Sequence, residues 1–99
     1  MPVTNSQKSY LRSRANALKP FVMIGKEGLK PTIIQAIDKN LELHELVKIK
    51  FQDFQDEKQT IMDEICLRTN GMLVDIIGNN ALIYRENPDP LKRVIHLPA

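Results

Sequence analysis

The sequence is poor in the residues that hold metals and form disulfides. Among its 99 residues it has one cysteine, Cys66, and two histidines, His44 and His96. A single cysteine cannot form an intramolecular disulfide. A structural zinc site usually takes four cysteine or histidine ligands, more than this chain has. We therefore expect neither a metal nor any other cofactor.

Long apolar runs are also missing. The longest ones span a few residues, far short of the roughly 20 that a transmembrane helix needs. The N-terminal segment Met1 to Asn5 lacks the charged and then apolar regions of a secretory signal. We therefore expect a cytoplasmic protein and a monomer. The length suits a single domain, residues 1–99, with a core of about 4–85 and a linker with a C-terminal tail or short edge strand at 86–99.

Aromatic residues are few, and tryptophan is absent. The chain has three phenylalanines and two tyrosines: Phe21, Phe51, Phe54, Tyr10 and Tyr84. We expect Tyr10 and Phe54 to lie nearest the surface, and partial burial is favoured even for these two. RNA-recognition motifs stack bases on aromatic residues of their sheet. This sequence does not predict such a surface.

The sequence does have an uneven distribution of charge. Residues 1–30 carry six lysines and arginines against Glu27 alone, a net charge of +5, which leaves −3 for the rest of the chain. Concentrated positive charge attracts polyanions such as nucleic acids. A solvated helix face is the simpler alternative. The nucleic-acid hypothesis gains weight because a second anion-seeking feature follows directly in the sequence.

That second feature is the segment Gly25-Lys26-Glu27-Gly28, between an apolar run, Phe21–Ile24, and a helix-patterned stretch, Leu29–His44. A turn that leads from a buried strand into a helix leaves several N–H groups unpaired at the positive end of the helix dipole. Lys26 and Lys30 flank these amides. Glycine lets a sugar-phosphate backbone approach them closely. A lone G-x-x-G is weak on its own, and an ordinary strand-to-helix turn is the alternative.

Periodicity and turn signals predict three helices and four strands. The T-x-x-Q capping box at Thr4 predicts a helix from Asn5 to Ala17. The other elements are a strand at 21–24, a helix at 29–44, a strand at 47–51, a helix from Asp56 to the stop signal Asn70-Gly71, and a hairpin of 73–77 with 81–85. Residues 94–97 are either a short edge strand or a docked tail.

This order predicts an α+β or α/β two-layer fold with the sequence αβαβαββ. Right-handed crossovers allow the first three strands to lie parallel and the fourth to be reversed. The result is a four-stranded mixed sheet. Its strand order stays open.

The sequence resembles the CRM domain, named for chloroplast RNA splicing and ribosome maturation, in the stand-alone bacterial YhbY-type form. The resemblance runs from about Thr4 to Pro98. It is carried by Leu11-Arg12, Leu18-Lys19-Pro20, Ile24-Gly25-Lys26-Glu27-Gly28-Leu29, Leu43-His44-Glu45-Leu46-Val47-Lys48-Ile49-Lys50, Ile77-Gly78 and Leu82-Ile83-Tyr84-Arg85.

The resemblance implies an RNA-binding domain with a fold similar to the C-terminal domain of bacterial translation initiation factor three. It also implies an association with precursors of the large ribosomal subunit, and hence ribosomal RNA as the partner. The expected RNA-binding residues are Gly25, Lys26, Glu27, Gly28 and Lys30 of the loop, with Lys8, Arg12, Arg14 and Lys19 of the basic first-helix region. Glu27 departs from a purely basic loop and shifts the expected binding toward the lysines and the helix.

Three other functions compete with this hypothesis. An enzyme could use Asp56-Glu57, Asp63-Glu64 or a histidine, but adjacent acids on a helix point in different directions, so we expect no enzymatic activity. A protein-protein interaction module on the ribosome is the second alternative. A DNA-binding coat protein is the third.

Overall fold

The computed structural model describes residues 3–99, so Met1 and Pro2 of the N-terminal segment lie outside it. The order αβαβαββ and the α+β class are confirmed. The three helices are α1, Asn5–Ala15; α2, Pro31–His44; and α3, Lys58–Thr69. The four strands are β1, Val22–Ile24; β2, Leu46–Phe51; β3, Met72–Ile77; and β4, Asn80–Tyr84.

The strands form one mixed sheet in the order β1-β2-β4-β3. β1 and β2 are parallel, while β4 runs antiparallel to both β2 and β3. The first three strands therefore share one direction and the fourth is reversed, as predicted. The hairpin inserts β4 between β2 and β3, which leaves β1 as an edge strand of only three residues.

The helix ends follow local signals. Thr4 and Gln7 form the reciprocal capping box that was expected at the start of α1. In α2 the predicted start at Leu29 is wrong by two residues, because Lys30 is the N-cap in an extended conformation and Pro31 is the first helical residue. α2 ends at Glu45, which adopts the left-handed conformation with φ 65°.

Helices cover both faces of the sheet, so α1 adds a third, partial layer to the expected two. The strand residues of β2 and β4 alternate between two apolar clusters. One cluster joins the sheet to α2 and α3 through residues such as Ile37 and Met62. The other joins it to α1 through Leu11 and Ala15. β2 and β4 carry apolar side chains on both faces, and each face needs a cover.

The remaining differences from prediction lie at irregular segments. A 3-10 turn, Gln55–Glu57, precedes α3, so Asp56 does not start the helix itself. The stop signal is confirmed, because Asn70 takes the left-handed conformation directly after Thr69. Of the two alternatives for the tail, the docked tail is the one observed: residues 93–99 form neither helix nor strand, and Ile95 is only 5% exposed and belongs to the α1 cluster.

Within residues 3–99, every helix is too short and too polar to span a lipid bilayer.

Candidate nucleic-acid interface

The segment Gly25–Gly28 forms a tight turn at the carboxyl end of β1. The Gly28 N–H donates to the Gly25 carbonyl at 2.9 Å, which closes the turn. Among the described residues, no hydrogen-bond partner meets the N–H groups of Lys26, Glu27, Leu29, Lys30 and Thr32. Bare amides were expected here. They lie next to the start of α2, where the helix dipole favours a negative charge.

The two glycines of the turn serve different purposes. A Cβ at Gly25 would meet only Gln52 Oε1, at 3.9 Å, so this side of the turn is open. Gly28 is buried, has φ +69°, and lies under the ring of Phe54, which would be 3.4 Å from an added Cβ. Gly28 is therefore required by its backbone conformation and by the ring above it, whereas Gly25 leaves room for an approaching ligand.

The charged side chains of the turn are partly neutralised internally. Glu27 forms an ion pair with Lys30. Lys26 is exposed and has no ion-pair partner within the described part of the chain. Lys26 is thus the cation of this turn whose charge stays available to an anion.

The basic residues of the first-helix region divide in the same way. Arg12 donates to Asp75 of β3 at 3.3 Å and to Ser9 at 3.0 Å. The Arg14 guanidinium donates a hydrogen bond to the Tyr10 hydroxyl at 3.5 Å. The salt bridges of residues 3–99 include neither Arg14, Lys8 nor Lys19. The structure therefore joins Arg12 to the sheet and leaves the other three cations without a counter-charge.

An open strip of sheet lies between these two groups of cations. Val22 and Ile24 of β1 pack toward α2 and α3, so alternation turns Phe21 and Met23 to the opposite face. There they are 46% and 52% exposed, because α1 covers β2 and β3 and leaves the β1 edge bare. Lys48 and Lys50 of β2 lie beside them, since Met23 pairs with Lys50 and the Phe21 N–H donates to the Lys48 carbonyl.

A groove opens at the other end of β1, between the end of α1, the end of α2 and the tail. Its volume is about 540 Å³. Its walls carry three cations, Arg14, Lys19 and Lys48, and no carboxylate. The other lining residues are Leu18, Pro20, Phe21, Asn40, His44, Leu46, Val47, Val94 and Ile95.

Sequence reasoning missed part of this surface. Phe21 was assigned to a buried strand, and that assignment is wrong. The strand lysines Lys48 and Lys50 are not among the residues expected to bind RNA. The signal available in the sequence was the alternation of apolar residues and lysines along β2, next to the short strand β1. Which face of that strand α1 leaves open depends on tertiary packing, which the sequence does not state.

Two of the carboxylates considered for catalysis have partners one turn away on the same helix. Asp63 accepts from Gln59 at 2.9 Å, and Glu64 pairs with Arg68 at 2.8 Å. Burial, with the charge of Asp63, raises the pKa of the Cys66 thiol, so it stays protonated at neutral pH. Within residues 3–99, no three histidine, cysteine or acidic side chains are grouped as metal ligands.

A four-stranded mixed sheet with helices on both faces and a basic, open β1 edge defines a small α+β domain with a surface suited to polyanions. The chain belongs to the CRS1 / YhbY (CRM) domain family, whose model matches residues 3–85. The resemblance noted in the sequence is thereby confirmed.

The chain is similar to several proteins along nearly its whole length. It is 33% identical to "Probable RNA-binding protein PA4753" of Pseudomonas aeruginosa over 98% of this chain and 94% of that protein. It is 32% identical to "Probable RNA-binding protein YqeI" of Bacillus subtilis over 97% of this chain and 99% of that one. The solution structure of SAV1595 from Staphylococcus aureus matches with a TM-score of 0.79 and 37% identity, covering 98% of this chain and 100% of that one.

Proposed function

We propose that this protein binds RNA, and that it holds the phosphate backbone with the Gly25–Gly28 turn and the cations near it. Membership of the CRM family and relatives named as RNA-binding proteins support RNA as the ligand. One observation carries the choice of surface. The unpaired amides of the turn and three lysines that form no salt bridge within residues 3–99 follow one another along the β1 edge: Lys26, Lys50 and Lys48.

Binding at this surface is electrostatic and positional. Phosphate oxygens accept hydrogen bonds from the turn amides, while lysine and arginine side chains replace the counterions of the RNA. Such contacts orient a nucleic acid without identifying its bases. The turn therefore contributes affinity for RNA in general, and recognition depends on the shape or the single-stranded character of the target.

Salt dependence tests this proposal directly. If about four to six phosphates of a single strand are neutralised, log K against log salt has a slope of roughly −3 to −4. The measurement is a fluorescence-anisotropy titration of a labelled single-stranded RNA at several salt concentrations. A parallel titration with DNA of the same sequence separates an RNA binder from a DNA-coating protein. Absence of binding in dilute buffer would refute the proposal.

The family resemblance supports a more specific assignment: ribosomal RNA in precursors of the large ribosomal subunit, met in the cytoplasm by a monomeric protein. The test is sedimentation of cell extracts with and without ribonuclease. The protein is expected to migrate with large-subunit particles and to leave them after RNA digestion or at high salt. Retention on digested particles would point to a protein contact and against this assignment.

A further inference from the structure

The groove at the amino-terminal end of β1 has the features of a nucleotide site. We propose that it binds one unstacked nucleobase together with its phosphate, as part of the same RNA strand that lies on the Gly25–Gly28 turn. This inference rests on the proposed function and extends it, because the turn holds backbone alone. The groove would add a contact to a base.

The first argument is the exposed ring of Phe21. Its backbone is held in place by the hydrogen bond from its N–H to the Lys48 carbonyl at 2.8 Å. The side chain is nevertheless 46% exposed, beside the similarly exposed Leu18 and Val94. An exposed aromatic ring at a groove edge can stack with any base. A volume of about 540 Å³ is in the range of small-ligand pockets.

The second argument is charge. Arg14, Lys19 and Lys48 line the groove, and the salt bridges of residues 3–99 include none of them. The Lys48 ammonium donates to the Leu18 carbonyl at 3.2 Å, which keeps it at the groove wall. With no carboxylate in the lining, the ligand that complements this groove is an anion.

The third argument is the polar part of the lining. Asn40 and His44, from the last turns of α2, line the groove. An amide and an imidazole offer both donors and acceptors, which suit the edge of a base. A ligand with an apolar flat face, a polar edge and a negative charge is a nucleotide. Its base has to lie outside a duplex, because a paired base has both faces covered by its neighbours.

The groove and the turn lie at opposite ends of the same strand. Phe21 borders the groove and Gly25 begins the turn, roughly 13 Å apart by the rise of a parallel strand. Met23 and Lys50 occupy the exposed sheet between them. A single RNA strand can therefore follow the β1 edge from the groove to the turn.

Variants of the full chain test the groove. Phe21→Leu removes the ring but keeps an apolar side chain, and Lys48→Gln removes one cation. Leu67→Ala and Arg68→Gln are the controls, since both residues are exposed on α3 and lie outside the lining of the groove. Each variant is first compared with the parent by thermal melting. Binding is then measured to a single-stranded RNA and to a duplex of equal length.

We expect Phe21→Leu to lower the affinity for single-stranded RNA about tenfold and to leave the affinity for the duplex unchanged. Lys48→Gln is expected to lower both affinities. The two control variants are expected to leave both affinities unchanged. When the single strand carries a 2-aminopurine base, stacking on Phe21 should quench the fluorescence of that base. The parent protein should therefore quench it more than the Phe21→Leu variant does. If Phe21→Leu lowered the affinity for single-stranded RNA no more than Leu67→Ala does, the groove assignment would be overturned.

The design separates the two proposals. If the parent binds RNA and responds to changes in the turn but not to Phe21→Leu, the groove inference fails alone. If the parent binds no RNA, the proposed function fails as well. AMP and UMP carry the same base and phosphate as the RNA. If AMP or UMP bound tightly and single-stranded RNA did not compete with it, the groove would be a site for free nucleotides. That result would overturn the proposal that the groove binds a base of the RNA strand.

Discussion

The Oε1 atom of Glu45 accepts a hydrogen bond from the backbone N–H of Ile95 at 2.9 Å, fifty residues further along the chain. The same oxygen accepts from Val94 at 2.7 Å, and the other carboxylate oxygen accepts from the Asn87 N–H at 2.6 Å. Glu45 is fully buried. One carboxylate at the end of α2 thus anchors the C-terminal tail through three backbone amides.

This anchor predicts a stability effect. Glu45→Gln replaces a charged acceptor with an amide group that offers only one acceptor oxygen to the three N–H donors. We expect the free energy of unfolding to fall by about 1.5–3 kcal/mol in a urea titration. Amide hydrogen exchange at Val94 and Ile95 should become faster. Glu42→Gln, at a largely exposed residue of the same helix, is the control and is expected to change stability by less than about 0.5 kcal/mol. Equal stability of the two variants would contradict the anchoring role.

The two glycines of the turn should respond differently to substitution. Gly28→Ala places a Cβ under the Phe54 ring at φ +69°, so we expect a loss of about 1 kcal/mol in unfolding free energy. Gly25→Asp meets open space and should leave stability nearly unchanged. It should nevertheless lower RNA affinity, because it adds bulk and negative charge beside the amides. A stable Gly25→Asp variant that binds RNA normally would remove the turn from the interface.

Ion pairing predicts which cations contribute to the salt dependence of RNA binding. Lys26 has no counter-charge, whereas Arg12 is paired with Asp75. Lys26→Gln should therefore make the slope of log K against log salt shallower by about 0.7, the value for one phosphate contact to a single strand. Arg12→Gln should change the slope less. Equal changes in the two slopes would mean that Arg12 leaves Asp75 to contact RNA.

The buried hydroxyl of Tyr84 leads us to expect a loss of stability at alkaline pH. Its hydroxyl is buried and has no hydrogen-bond partner among the described residues. Burial, together with the charges of Glu45 and Glu86, raises the pKa of Tyr84 to about 12. The unfolded chain releases this proton near its usual pKa of about 10 and the folded chain near 12, so stability falls as pH rises between these values.

The control for this pH dependence is Tyr84→Phe. It removes both the titration and an unsatisfied buried hydroxyl, so its stability at neutral pH should equal or exceed that of the parent by about 1 kcal/mol. The measurement is urea unfolding at several pH values from 8 to about 12. If the parent and the variant lost stability equally as the pH rose, groups other than Tyr84 would be responsible for the alkaline effect.

The local elements could be predicted from the sequence because their signals are local. The capping box of Thr4 and Gln7, the proline after Lys30 and the stop at Asn70 act within one or two helical turns. The αβαβαββ order follows from such signals. The strand order does not, because the insertion of β4 beside β2 depends on which long-range pairing buries more apolar surface.

The site was predicted only in part for a similar reason. The turn and its lysines are adjacent in sequence, so Gly25, Lys26 and Gly28 could be identified together. The ion pair that neutralises Arg12 could not be anticipated, since Asp75 is 63 residues away from Arg12. The groove is still less local, because it needs α1, α2 and the tail in place before its walls exist.

The wall formed by Val94 and Ile95 lies beyond residue 85, where the match to the family ends. Substitution of these two residues therefore changes the shape of the pocket beside Phe21 without altering the matched core. If the groove binds a base as proposed, target preference can change through the last few residues alone, while the turn proposed to hold phosphate is left untouched.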